Sequence, residues 1–224
     1  LRGLKVKYLA ANPDPGTAGD VWYDSATFEL KGFVGRAAWS SGANFLIDRG
    51  FVAHTGTQTA SLLVGGLDTE DPGFTQVAKV EEYNGVGWTA GGDLPAGAYA
   101  GGAAGTQTAG LFFAGANSSD TKQATTFTYN GSAWATSPAT LNSAKTEVTV
   151  AGISTAAVIA GGKTAPGVPN LSNVIQTWNG TSWATSPATL ITARNSMQRS
   201  GTTGSTSALF IGGYDPAPGK GVQT

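Results

Sequence analysis

One short phrase returns along this 224-residue chain about every 49 residues: an aromatic residue, Asn-Gly, and a tryptophan three residues later. It reads Tyr83-Asn84-Gly85-Val86-Gly87-Trp88, then Tyr129-Asn130-Gly131-Ser132-Ala133-Trp134, then Trp178-Asn179-Gly180-Thr181-Ser182-Trp183. Repetition at a fixed spacing limits the fold more than composition does. Each period is one supersecondary unit that buries its apolar surface against copies of itself. Residues that stand out are therefore structural before they are chemical.

Two further marks keep their order. An apolar residue precedes a cation by four places in Phe45/Arg49, Leu141/Lys145 and Leu190/Arg194, whereas Leu94 is followed by Ala98. Then comes Gly56-Thr57-Gln58-Thr59-Ala60 leading through Leu62-Leu63-Val64 to Gly65-Gly66, with counterparts at 105–115, 152–162 and 203–213. The runs Ala60–Val64, Leu111–Phe113 and Ala208–Ile211 read as short strands buried on both faces. The glycine pairs Gly65/Gly66, Gly161/Gly162 and Gly212/Gly213 suit positive φ or close backbone approach, and Ala114-Gly115 stands in the second copy. Asn-Gly marks a hairpin, because both residues tolerate positive φ. Trp88, Trp134 and Trp183 then open an outermost strand and cover the gap to a neighbouring unit. So the spacing predicts four strands per period.

The 33 glycines and 10 prolines fit a turn-rich all-β chain. Charged residues make up only 12%, the net charge is −1, and no basic stretch exists to neutralise phosphates, which argues against a nucleic-acid partner. No apolar run of membrane-spanning length occurs, so membrane insertion is not expected. With no cysteine, disulfides and thiolate chemistry are excluded. Residues 1–20 do not read as a signal peptide, since Lys5, Lys7 and Asp14 interrupt any apolar segment.

The paired glycine, a following aromatic residue and a later tryptophan resemble the kelch motif over residues 45–213, with losses at Ala98 and Ala114. The resemblance implies an all-β, kelch-like β-propeller of four-stranded blades, at about 40–88, 89–134, 135–183 and 184–224. The wording of the repeats is also similar to propeller-like repeats in tail and fibre proteins of marine bacteriophages, where Gly-Thr-Gln-Thr-Ala and Tyr-Asn-Gly-x-x-Trp recur. Ahead of the repeats, Val21-Trp22-Tyr23, an Asp24-Ser25 turn and Phe28-Glu29-Leu30 read as a hairpin within residues 21–39. That stretch resembles a short module near the start of phage fibre proteins. Residues 1–20 are an arm or linker.

Trp39 lies 49 residues before Trp88, in register with the repeat. Phe28–Trp39 would then supply the outer half of a blade whose inner two strands are Leu190–Arg194 and Thr203–Gly213, closing a ring of four. Against this, Val222-Gln223-Thr224 matches Ile175-Gln176-Thr177, as in an array that continues into a larger propeller. Both arrangements stay open at this point.

Candidate sites are few. His54, the single histidine, has no counterpart in the other copies and reads as a strand-end residue. Some kelch propellers are copper oxidases, but their histidine and tyrosine ligand set is missing, so no cofactor or metal is expected. Asp68, Glu70 and Asp71 place three carboxylates in four residues, a grouping that could bind calcium or do glycosidase work, yet the alternating Asp/Asn pattern with a central glycine and a second acid cluster are lacking; a solvated loop is the plainer reading. Asn130-Gly131-Ser132 and Asn179-Gly180-Thr181 match a glycosylation acceptor but fall in the repeated turns. The loops 67–74, 116–123, 163–171 and 214–221 vary on a constant frame and should emerge at one rim. Their Asp68, Glu70, Asp71, Phe74, Lys163 and Tyr214 are candidate binding residues. Taken with the resemblance, the expectation is a non-enzymatic virion protein, a tail, fibre or appendage component. Its partners would be other virion proteins, copies of itself, and a cell-surface glycan or receptor. The alternatives are a cellular kelch-type interaction module or a glycan-acting propeller enzyme.

Overall fold

The structure, a computed structural model, describes residues 6–11, 13, 20–32, 42–70, 73–164, 170–200 and 208–215. Among these residues there are strands, turns and loops and no helix. Contacts divide the chain into two units, Leu1–Ser41 and Gly42–Thr224. Trp39, Asp71 and Val222–Thr224 lie outside the described residues, as do parts of the third and fourth loops.

The first unit holds β1 (Lys7–Leu9), β2 (Val21–Asp24) and β3 (Glu29–Gly32). β2 and β3 form the hairpin that the sequence suggests, paired from Val21↔Gly32 to Asp24↔Glu29. Asp24 Oδ1 accepts the N–H groups of Ala26 and Thr27 at 2.9 and 3.2 Å, which fixes the turn, and Lys31 Nζ donates to Oδ2 at 2.7 Å. The bond from Lys31, followed by that from Ala26, draws the Asp24 carboxyl down to about 2. β1 adds a parallel edge to β2, with Lys7 opposite Trp22. It lies in the stretch that reads as a linker, because three residues are too few to show a period.

The second unit is built in periods. The first gives β4 (Arg49–Gly50), β5 (Ala53–Thr57), β6 (Ala60–Val64), β7 (Leu67–Asp68), β8 (Val80–Tyr83) and β9 (Trp88–Ala90). The second gives β10 (Gly102–Thr106), β11 (Ala109–Phe113), β12 (Thr126–Tyr129) and β13 (Trp134–Thr136). The third gives β14 (Thr149–Ile153), β15 (Ala156–Ala160), β16 (Val174–Trp178) and β17 (Trp183–Thr189), and the fourth β18 (Gln198–Ser200) and β19 (Leu209–Ile211). Three four-stranded antiparallel sheets result, β5-β6-β8-β9, β10-β11-β12-β13 and β14-β15-β16-β17, beside the pairs β18-β19 and β4-β7.

The first strand of the fourth period differs from the expectation. Leu190–Arg194 is a turn segment, and the first strand of the fourth period is Gln198–Ser200. The cation serves a different purpose: it is buried (Arg49, Lys145, Arg194), and in the third and fourth periods it braces the glycine pair of its own period, while Arg49 bonds Lys79 O and Glu81. Lys145 Nζ donates to Gly161 O and Arg194 Nη1 to Gly212 O, each at 3.5 Å. Nor is Ala208–Ile211 buried on both faces, since Leu209 is 48% exposed. Among the described residues β19 has β18 as its only partner, whereas β6, β11 and β15 each carry a third strand.

Consecutive sheets pack face to face through apolar clusters. Leu62, Val64 and Val80 of the first sheet meet Phe112, Phe127 and Trp134 of the second. Leu111 and Phe113 of the second meet Ile159, Trp178 and Trp183 of the third. Each of these tryptophans therefore reaches back onto the preceding sheet, and Trp183 Nε1 donates to Thr126 Oγ1 at 2.9 Å. Trp88 packs edge-on against Phe45 instead, with ring centroids 5.0 Å apart. At the hairpin end, Gln107 Nε2 donates to Tyr83 O at 2.9 Å, and Thr55 Oγ1 to Gly105 O at 2.7 Å.

The inner strands run in sequence, β10 lying against β5 and β14, and β14 against β18. Residues 52–54, 101–103, 148–150 and 197–199, at one equivalent step of each period, line a single cavity of about 200 Å3. Just before each inner strand sits a residue in the left-handed region: Phe51, Ala100, Glu147 and Ser196, with φ between 52° and 54°. Ala100 N–H donates to Phe51 O at 2.8 Å, Glu147 N–H to Ala100 O at 2.7 Å, and Ser196 N–H to Glu147 O at 3.1 Å. This row of bonds joins the four periods at one end of the cavity.

Candidate functional site

The four variable loops leave the same end of equivalent strands, β6, β11, β15 and β19, directly after the glycine pair. The second glycine ties each period to the next: Gly66 N–H donates to Ala98 O, Gly115 N–H to Lys145 O and Gly162 N–H to Arg194 O, at 2.8–2.9 Å. Gly162 has φ +95°, and a Cβ there would lie 2.8 Å from both Thr146 O and Val148 Cγ1. The first loop residue then pairs with the residue after the cation position, as in Gly50↔Leu67, Tyr99↔Ala116, Thr146↔Lys163 and Asn195↔Tyr214. Loop bases are thus held while their tips differ.

Within this frame the candidate residues separate into two neighbourhoods. Asp68 is in β7, where its Oδ1 accepts the Glu70 N–H at 2.9 Å, and Glu70 is exposed. Phe74 is 60% exposed with φ 48°. Lys163 and Tyr214 sit on adjacent periods: Lys163 Nζ donates to Glu147 Oε1 at 2.7 Å, and Asn195 Nδ2 donates to Glu147 Oε2. Tyr214 N–H donates to the carbonyl of the same Asn195 at 2.9 Å and leaves the Tyr214 ring half exposed. Glu147 and Asn195 were not legible as rim residues, because they fall between two of the recurring marks. Tyr99 and Asp120 were missed likewise. Tyr99 Oη donates to Asp120 Oδ1 at 2.6 Å, and Lys122 Nζ reaches the same oxygen at 2.6 Å. The Lys122 and then the Tyr99 hydrogen bond lower the Asp120 carboxyl, and burial with that acceptor pushes the Tyr99 phenol up to about 12.

The second period breaks the framework and opens a pocket. In the first, Arg49 Nη2 pairs with Glu81 Oε1 at 2.8 Å in the interior, and Glu81 Oε2 accepts the Leu46 N–H at 2.8 Å. In the third, Gln176 Oε1 takes the equivalent N–H from Asn142 at 2.9 Å beside Lys145. In the second, Ala98 and Phe127 stand where cation and acceptor stand elsewhere. The short Ala98 side chain leaves a pocket of about 260 Å3 between the first and second loops. Gln76, Asn117, Ser118, Gln123 and Thr125 supply its polar lining, with Phe127, Gly97 and small residues as the floor, and among the described residues no charged side chain lines it. Gln76 Oε1 is buried without a hydrogen-bond partner among the described residues. Asn117 Oδ1 is occupied by the N–H groups of Ser119 and Thr121 at 3.1 and 3.0 Å, which leaves its Nδ2 to donate. Amides and hydroxyls over an apolar floor suit hydroxyl-bearing neutral ligands.

Among the described residues no group of three histidine, aspartate or glutamate side chains converges to hold a metal. No family model matches the chain, and no curated protein is significantly similar to it.

Proposed function

We propose that this chain is a kelch-like β-propeller of a virion, a non-enzymatic tail, fibre or appendage component. Its N-terminal part docks to the particle, and its loop rim contacts neighbouring subunits or a glycan on the host surface. Blade-by-blade packing around one lined cavity supports the propeller, and the motif resemblance supports the virion role. The carrying observation for a glycan partner is the uncharged, amide-lined pocket between the first two variable loops. Such a pocket holds a sugar weakly, and many copies on one particle multiply weak contacts into firm attachment.

Two experiments test the reading. Mass spectrometry of purified particles from the host culture should find the chain in stoichiometric amount; its absence from them rejects the virion role. Purified chain should bind host cells, with Gln76→Ala and Asn117→Ala each weakening binding at least threefold. Reproducible cleavage of host glycans by the purified chain would instead establish an enzyme.

A further inference from the structure

The cavity between the inner strands departs from its own repeat in a second way. Five residues beyond the cation position, the four periods present His54, Ala103, Val150 and Arg199. All four line the cavity of about 200 Å3, so two of these equivalent places are small or apolar and two are basic. Among the described residues, the charged and titratable groups that β5, β10, β14 and β18 turn to the cavity are His54 and Arg199, and none that line it is a carboxylate. Arg199 is half-buried, and among the described residues it has neither an ion pair nor a hydrogen bond from its side chain. Burial lowers the tendency of both groups to hold a proton, and the Arg199 charge adds to the effect on His54. Alanine and valine satisfy the packing in the other copies, so nothing in the framework calls for cations here. A half-buried guanidinium without an acceptor is unfavourable unless an anion completes it.

We infer that this cavity binds a small oxyanion, a carboxylate, sulfate or phosphate group, gripped by the Arg199 guanidinium with the His54 imidazole as second donor. The planar guanidinium presents paired N–H groups that match two oxygens of such an anion. Two basic groups converging in a walled cavity reinforce each other's attraction for negative charge. This site lies among the inner strands, apart from the loop pocket, and does not rest on the virion role.

His54 is the only histidine, so its imidazole gives a single resonance that reports on the cavity. The experiment follows that resonance in the intact chain during titration with sodium sulfate, phosphate and glucuronate, against sodium chloride at matched ionic strength. A saturable shift in the millimolar range with at least one oxyanion, absent with chloride, is expected, and the His54 titration midpoint should move upward when the site is filled. Arg199→Gln should weaken that binding at least tenfold, while Arg199→Lys retains part of it. The tightest of the three anions identifies whether the natural group is planar or tetrahedral. A response equal to that of chloride, or an unchanged response in a folded Arg199→Gln variant, overturns the inference. Should that variant fail to fold, the oxyanion and chloride titrations of the unmodified chain decide alone.

Discussion

At the scale of single residues, the repeat conceals roles that composition does not display. The Asn-Gly turns were legible as hairpins, but only their glycines take positive φ, 92°, 93° and 98° at Gly85, Gly131 and Gly180. Each asparagine acts through its side chain: Asn84 Oδ1 accepts two backbone N–H groups at 3.0 and 2.9 Å, and Asn130 and Asn179 do the same. A four-residue loop needs that acceptor, which a two-residue turn would not. The left-handed row at Phe51, Ala100, Glu147 and Ser196 was illegible, because none of the four is glycine. Replacing Ala100 by glycine removes the Cβ penalty of about 1–2 kcal/mol. Glycine returns about 0.4–1 kcal/mol of that through a freer unfolded chain. A net gain of about 0.5–1 kcal/mol is expected in urea unfolding. Lys145 supplies a pH test. Burial lowers its ammonium from 10.5 to about 8, so between those values the unfolded chain holds a proton that the folded chain does not. Stability therefore rises with pH across that window. Tyr99 and Tyr129, both raised to about 12, act in the opposite sense, their contribution being complete below pH 10 and lost above it. Unfolding midpoints measured from pH 7.5 to 9.5 should climb, and Lys145→Met should remove the climb.

At the scale of the strand and sheet, the order of marks was a sound guide: Ala60–Val64 and the strands opened by Trp88, Trp134 and Trp183 stand as read, and the segment Leu190–Arg194 was misassigned. The apolar-to-cation spacing resembles a strand but encodes a brace, since a buried cation reads in sequence like any exposed one. Comparison among periods exposes the rule: Arg49 goes with Glu81, Lys145 with Gln176, and Ala98 with Phe127. Removing one partner of a buried pair costs about 3–5 kcal/mol, whereas replacing both by packed apolar groups is often neutral. Arg49→Ala should therefore destabilise by about that amount, and Arg49→Ala with Glu81→Phe, the pairing of the second period, should recover most of it. A double-mutant cycle in denaturant measures this directly. The tryptophans give a smaller contrast. Trp183 Nε1 bonds Thr126, but Trp134 Nε1 is buried without a partner among the described residues, and Val80 holds the place equivalent to Thr126. Thr126→Val should cost about 1–2 kcal/mol by orphaning the second indole, a difference readable as a lowered unfolding midpoint.

At the scale of the whole molecule, the sequence revealed that the chain is periodic but not whether the periods close a ring of four or belong to a larger propeller, because repetition carries no signal for its own end. The same limit hid the loop pocket and the inner cavity. Both arise where one period departs from the others, and the departures, Ala98 and Phe127 or His54 and Arg199, become meaningful only when placed side by side. The fourth period raises the corresponding question about edges. β19 pairs with β18 alone among the described residues, and it presents Leu209 at 48% exposure where β6, β11 and β15 are covered by a third strand. An uncovered apolar edge recruits another strand, and a charge placed on it blocks that pairing. Sedimentation velocity over rising concentration should therefore show self-association, and Leu209→Lys should shift the protein toward monomer with its unfolding midpoint little changed. A chain that stays monomeric at every concentration, with or without the lysine, would mean that its own strands complete the fourth sheet.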